Sequence, residues 1–228
     1  MAATQNITEQ FCDAPVRDRS RQLTTCVTAV VTITGIIVLG RMLFKAFGTD
    51  GGLWWDDWTI LATHACGIGL SVIGIYGLAG HGLGKDIWTL SFDDITILLK
   101  FFYFSEVFYL INITLLKMSI LFFYMRIFTT AGTKRVLWIS QIFNALFGLA
   151  CVLVAIFQCR PIDYFWSRWD GEHQGTCVNF NAIGWANATV GITLDLWMLA
   201  IPFNKLRGLN LSWKKKVDVT FMFCVGTL

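Results

Sequence analysis

The fold class predicted for this 228-residue chain is all-α: a polytopic bundle of transmembrane helices. Composition is the first observation behind it. Hydrophobic residues make up 55% of the chain and charged residues only 14%, against about 25% charged in ordinary soluble domains. The second is a mean hydropathy of +0.59. The third is the grouping of apolar residues into runs of about 20, enough to cross a hydrocarbon core of about 30 Å at 1.5 Å per residue. Five complete spans and the start of a sixth can be marked out. The net charge of +3 is small, and no basic patch interleaved with aromatics points to nucleic acid.

Residues 1–23 are polar, with neither an apolar signal core nor a cleavage site, and read as an extracellular tail. Within them Asn6-Ile7-Thr8 is a glycosylation sequon. The first span covers 24–44 and ends at Arg41 and Lys45. Trp54, Trp55, Asp56 and Asp57 precede the second span, 58–79. The tryptophans suit an interface, and the aspartates suit a helix N-terminus, where they would cap. In this glycine-rich span, Gly67, Ser71 and Gly74 fall at i, i+4 and i+7 and predict close approach of a neighbouring backbone. His64 reads as a packing histidine, because no His or Cys stands three or four residues further on. No metal site is expected. Residues 81–100 read as a loop, turned by Gly82 and Gly84.

The third span, 101–125, carries Glu106 and Lys117 inside its apolar run. Eleven residues at 100° each is 20° past three full turns, so both charges share one face. Tyr124 follows seven residues later on nearly the same face, with Leu110 and Ile113 between. A charge at membrane depth costs at least about 2.5 kcal/mol, so this stripe should face a bundle interior or a wet cavity.

A basic loop, 126–135, leads to the fourth span, 136–158. Cys159 and Cys177 bracket the polar, aromatic loop that follows. The fifth span, 181–203, contains Asp195, and the basic stretch 204–216 precedes a last apolar run, 217–228, which reads as a sixth span begun and unfinished. Lys117 and Asp195 sit at similar fractions of two parallel spans, so an ion pair between them is expected to offset their desolvation. Such a pair reads either as a switch or ligand pair or as a structural one, and Lys117 could instead snorkel to the interface.

Placing the N-terminus outside puts ten of the 18 cations on the cytoplasmic side and seven on the outer side, with Lys117 between. The plasma membrane is the expected location. The same orientation places Cys159 and Cys177 in an oxidising compartment, where a disulfide between them would contribute about 3 kcal/mol; the other reading is two free thiols.

Several of these stretches together resemble the fungal rhodopsin-like integral membrane family. They are the Trp-Trp-Asp-Asp before the second span, Gly-Leu-Gly-Lys-Asp-Ile-Trp after it, and Leu-Lys-Met-Ser-Ile-Leu-Phe-Phe-Tyr-Met-Arg-Ile-Phe along the third. Cys-Arg-Pro-Ile with a later Gly-Thr-Cys, and Asp195 with Leu-Trp-Met-Leu-Ala-Ile-Pro, complete the set. The resemblance implies a seven-span protein with an outside N-terminus. Members include receptor-like proteins of plant-pathogenic fungi and a membrane protein of the satratoxin cluster. In light-absorbing rhodopsins the retinal-bearing lysine sits on the last helix, so this chain gives no support for retinal, and no cofactor is expected.

The expected function is a receptor-like, GPCR-like sensor of an extracellular small molecule or surface cue. Glu106, Lys117, Tyr124 and Asp195 are its ligand candidates, and a cytoplasmic signalling partner would meet loops 126–135 and 204–216. The alternatives are a transporter or channel using the same charges as a path, and an accessory membrane protein of secondary metabolism. No nucleophile elbow, phosphate loop or zinc motif is present, so no catalytic residue is named and an enzyme is not expected.

Overall fold

A computed structural model describes residues 18–47 and 54–207. Helix α1 runs Ser20–Phe47, and α2 runs Trp55–Val72 and continues as a π-helical turn, Ile73–Ala79. After a 3-10 turn at Ile87–Thr89 come α3, Phe92–Ile127, and α4, Ala131–Ile156. A two-residue strand β1 (Cys159–Arg160), a short helix α5 (Tyr164–Ser167) and strand β2 (Thr176–Cys177) form a small cap. Helix α6 spans Phe180–Arg207. The two strands pair antiparallel with Cys159 opposite Cys177, and a disulfide joins those residues.

Among the described residues, five helices are long and apolar enough to cross a membrane. Their large apolar side chains face outward: Ile36 is 67% exposed, Phe44 82% and Trp185 76%. Water would make such a surface untenable, whereas lipid tails are its natural surroundings. Helix α3 is the centre of the bundle, packed against both α2 and α4. An apolar core of Leu121, Tyr124, Met125, Leu137, Met198 and Ile201 ties α3, α4 and α6 together away from the disulfide. At the disulfide end Tyr103, Cys159 and Phe165 form a second core.

The helices extend past the expected spans. Residues 92–100, expected in a loop, form the first turns of α3, because the Ser91 hydroxyl accepts the Asp94 N–H at 3.1 Å and so caps the helix. The expected loop 126–135 shrinks to residues 128–130, since α3 continues to Ile127 and α4 starts at Ala131. Asp18 similarly accepts the Ser20 N–H, starting α1 four residues early. Hydropathy marks the membrane-embedded length, and caps decide where the helix ends.

The small-residue stripe of α2 keeps Gly67, whose Cβ would lie 3.9 Å from Asn112, but is displaced beyond it. A Cβ on Gly77 would lie 2.5 Å from the Phe101 ring and one on Gly69 3.6 Å from Phe108, whereas Gly74 faces open space. The wider π turn after Val72 rotates the following residues, so Gly77 takes the contact that α-helical spacing assigned to Gly74. Beyond it Gly82 and Gly84 adopt φ of +108° and +94° and make the tight return to α3. The Gly84 carbonyl accepts the Arg19 N–H at 2.9 Å, tying the start of α1 to this turn. Asn6, Cys12, stretch 208–216 and the sixth run 217–228 lie outside the described residues.

Candidate functional site

Glu106 and Lys117, two of the three polar groups expected on one stripe of α3, line a cavity between α3, α4 and α6. Gly148 lets α4 close on α3, for a Cβ there would lie 2.3 Å from the Thr114 hydroxyl. Helix α6 approaches them through side chains, among them the Trp197 Nε1–H donated to Ser140 Oγ at 2.9 Å. The space left open has two adjoining parts. The inner part, about 400 Å³, is lined by Lys117, Asp195, Asn144 and Tyr109. The outer part, about 660 Å³, lies beneath the disulfide cap and is lined by Glu106, Gln158, Arg168 and Phe180. Leu110, Cys151, Gly184 and Asn187 border both.

Lys117 and Asp195 form the expected pair, with Nζ 2.9 Å from Oδ1. The ammonium also donates to the Gly191 carbonyl at 2.9 Å. Lys117 is therefore matched inside the bundle and does not snorkel. Its side chain is 10% exposed and that of Asp195 39%, the carboxylate facing the cavity. Glu106, about three turns along α3 toward the cap, accepts from Gln158 Nε2 at 3.1 Å. Gln158 is itself fixed by its backbone, whose carbonyl accepts the Val178 N–H beside the disulfide. Tyr103 donates its hydroxyl to the Ile156 carbonyl at 2.9 Å and packs on Phe165, locking the cap to α3 and α4. Tyr124 departs from the expected stripe. It is wholly buried in the apolar core and lines neither part of the cavity.

A second charged cluster lies at the opposite end. Asp56 and Asp57, 1% and 0% exposed, meet Arg41, Lys45 and Arg126. Arg41 Nη2 is 2.7 Å from Asp56 Oδ2, and its Nε is 3.2 Å from Asp57 Oδ1. Lys45 pairs with both aspartates, and Arg126 Nη1 stands 3.7 Å from each. Capping does occur, with Asp57 Oδ2 accepting the Trp54 N–H at 3.1 Å, but it is one contact among many. Sequence reasoning missed this node. The available signal was two cations four residues apart at the end of one span, facing two carboxylates across a short loop.

Outward-facing apolar helices around an inward-facing polar cavity define a multi-pass α-helical integral membrane protein. The chain belongs to the fungal rhodopsin family, whose domain model matches residues 40–228. It is 29% identical to a SAT4 family membrane protein of Emericella nidulans over 64% of this chain and 38% of the relative. It is 28% identical to the satratoxin biosynthesis SC1 cluster protein 4 of Stachybotrys chartarum, over 52% of this chain and 44% of that one. A third relative, the fugralins biosynthesis cluster protein 2 of Gibberella zeae, is 28% identical over 50% of this chain and 29% of its own length. The matched segments thus span less than half of each relative. No solved structure matches significantly.

Proposed function

We propose that this chain is the membrane-embedded part of a receptor-like sensor in the plasma membrane, with its N-terminus and disulfide cap outside. The observation that carries the reading is the cavity running from beneath the cap to the Lys117–Asp195 pair between α3 and α6. A molecule entering it would compete for Asp195, whose carboxylate is partly open, and would shift α6 against α3. A bias of this kind requires only a difference in affinity between two arrangements. The change would reach a cytoplasmic partner through the basic residues of 126–135 and 204–216. Neither retinal nor enzyme chemistry has a part in it.

The test places a single reporter cysteine at Thr130, between α3 and α4, and follows its labelling from the inner face while candidate cues are applied outside. A cue-dependent change, lost in Asp195→Asn, is expected. Solute flux through proteoliposomes without any such change would replace the sensor by a transporter. Two relatives are named for biosynthetic clusters, which favours a second reading, an accessory protein of secondary metabolism. Loss of one metabolite on deletion, with no response to any cue, would favour that one.

A further inference from the structure

The outer part of the cavity carries two charges of opposite sign, and the protein matches neither fully. Glu106 is half-buried, and its only polar partner among the described residues is Gln158, on one of its two oxygens. Arg168 lies over the rings of Phe180 and Phe165 at 4.7 and 5.8 Å, and among the described residues no acceptor meets its guanidinium, which carries five N–H donors. The two face one cavity without forming an ion pair with each other. Lys100, the nearest other cation along α3, stacks on Trp166 instead. At the floor, Lys117 and Asp195 are paired with each other.

A cavity with one open anion, one open cation and a self-paired floor is formally neutral, and it rewards a ligand with the same pattern. We infer that it binds a small zwitterion, an amino-acid-like or short peptide-like molecule whose ammonium meets Glu106 and whose carboxylate meets Arg168. Each end would gain a charge-assisted hydrogen bond, at a half-buried Glu106 and at an exposed Arg168, and a planar guanidinium fits a carboxylate in two-point fashion. A singly charged molecule would satisfy one end and leave the other unmatched. The volume, about 660 Å³, lies within the ordinary range for small-molecule sites. Phe102, Phe165 and Phe180 supply apolar walls, and Asn181 and Asn187 supply amides for a peptide-like middle. This rests on the reading of the cavity as a ligand site.

The test is equilibrium binding to the full chain in lipid nanodiscs with three probes of one length: ε-aminocaproate, hexylamine and caproate. The zwitterion should bind saturably, and each singly charged probe at least about tenfold more weakly, the loss expected from one charge-assisted hydrogen bond. Glu106→Gln should abolish its advantage over caproate, and Arg168→Gln its advantage over hexylamine. Both side chains lie at the cavity surface, and a wild-type melting profile would show that the variants fold; the wild-type probe series decides the matter even without them. No saturable binding of the zwitterion, or equal binding of hexylamine, overturns the inference. If ε-aminocaproate binds while the Thr130 reporter stays silent, the sensing reading fails and the inference stands. If a different cue moves the reporter and no zwitterion binds, the reverse holds.

Discussion

The two charged regions of this bundle differ in how completely the protein answers its own charges. At the end away from the disulfide, two carboxylates with almost no exposure are surrounded by three cations on α1 and α3. In the cavity, Glu106 has one protein donor, Arg168 no protein acceptor among the described residues, and Asp195 one cation. A saturated cluster joins helices and has little left with which to recognise anything else. An open one leaves free energy for a guest, because an unmatched charge gains from each partner it acquires. On the function proposed above, the node serves structure and the cavity serves recognition.

Breaking the node should have the largest effect on stability. Asp57→Asn leaves Arg41, Lys45 and Arg126 facing one carboxylate instead of two. A loss of about 3 kcal/mol is expected, the low end for a broken buried pair, because the cations are partly exposed. Thermal unfolding and the yield of folded protein in detergent would measure it. If the variant melts like the wild type, the node is not structural and the contrast collapses.

Lys117→Met should come next, at about 1–2 kcal/mol, because Asp195 loses its cation yet keeps its access to the cavity. The double variant Lys117→Met with Asp195→Leu should recover most of that loss, and a double-mutant cycle would give the coupling. Additive effects would show that the pair does not act as a unit. Glu106→Gln should change the melting temperature least, by the equivalent of about 0.5 kcal/mol or less, because the amide can still accept from Gln158. A large destabilisation would move Glu106 from recognition to structure.

The smallest effect is expected in the cap, outside the membrane. The Glu172 N–H donated to Asp170 holds that carboxyl below its usual value of 3.8; limited burial opposes this, and His173 beside it adds to the lowering. A carboxylate with a depressed folded value stabilises above the unfolded value and loses that contribution as pH falls through the folded one. Hydrogen exchange in residues 170–173, divided by the intrinsic amide rate at each pH, should therefore be flat from pH 7 to about 4 and rise only in stronger acid. In Asp170→Asn that acid rise should disappear. An acid rise that persists in Asp170→Asn would show that this carboxyl is not its cause.

Much of the bundle was legible in the sequence. Runs of apolar residues marked all five long helices, and the 100° period put Glu106 and Lys117 on one face. The disulfide was one of two readings of two cysteines flanking a single loop, and the Lys117–Asp195 pair was one of two readings of equal depth along parallel spans; the structure holds both. Tyr124 did not, because a phenol seven residues from Lys117 shares its direction but not its depth, and at its depth α4 and α6 close into the apolar core. Gly74 was misplaced because a π turn is set by packing and leaves no periodic trace. Asp56 and Asp57 read as caps because capping is local, whereas Arg41 and Arg126 arrive from other helices.

The sequence by itself determined the class of protein, the number of described spans and which charges had to turn inward, because bilayer thickness and helical period act on each segment alone. Only the tertiary structure decided which of those charges are matched and which stay open. That depends on the rotation and depth at which separate helices meet. A buried carboxylate among three cations and a half-buried carboxylate at a cavity wall look alike in a row of letters.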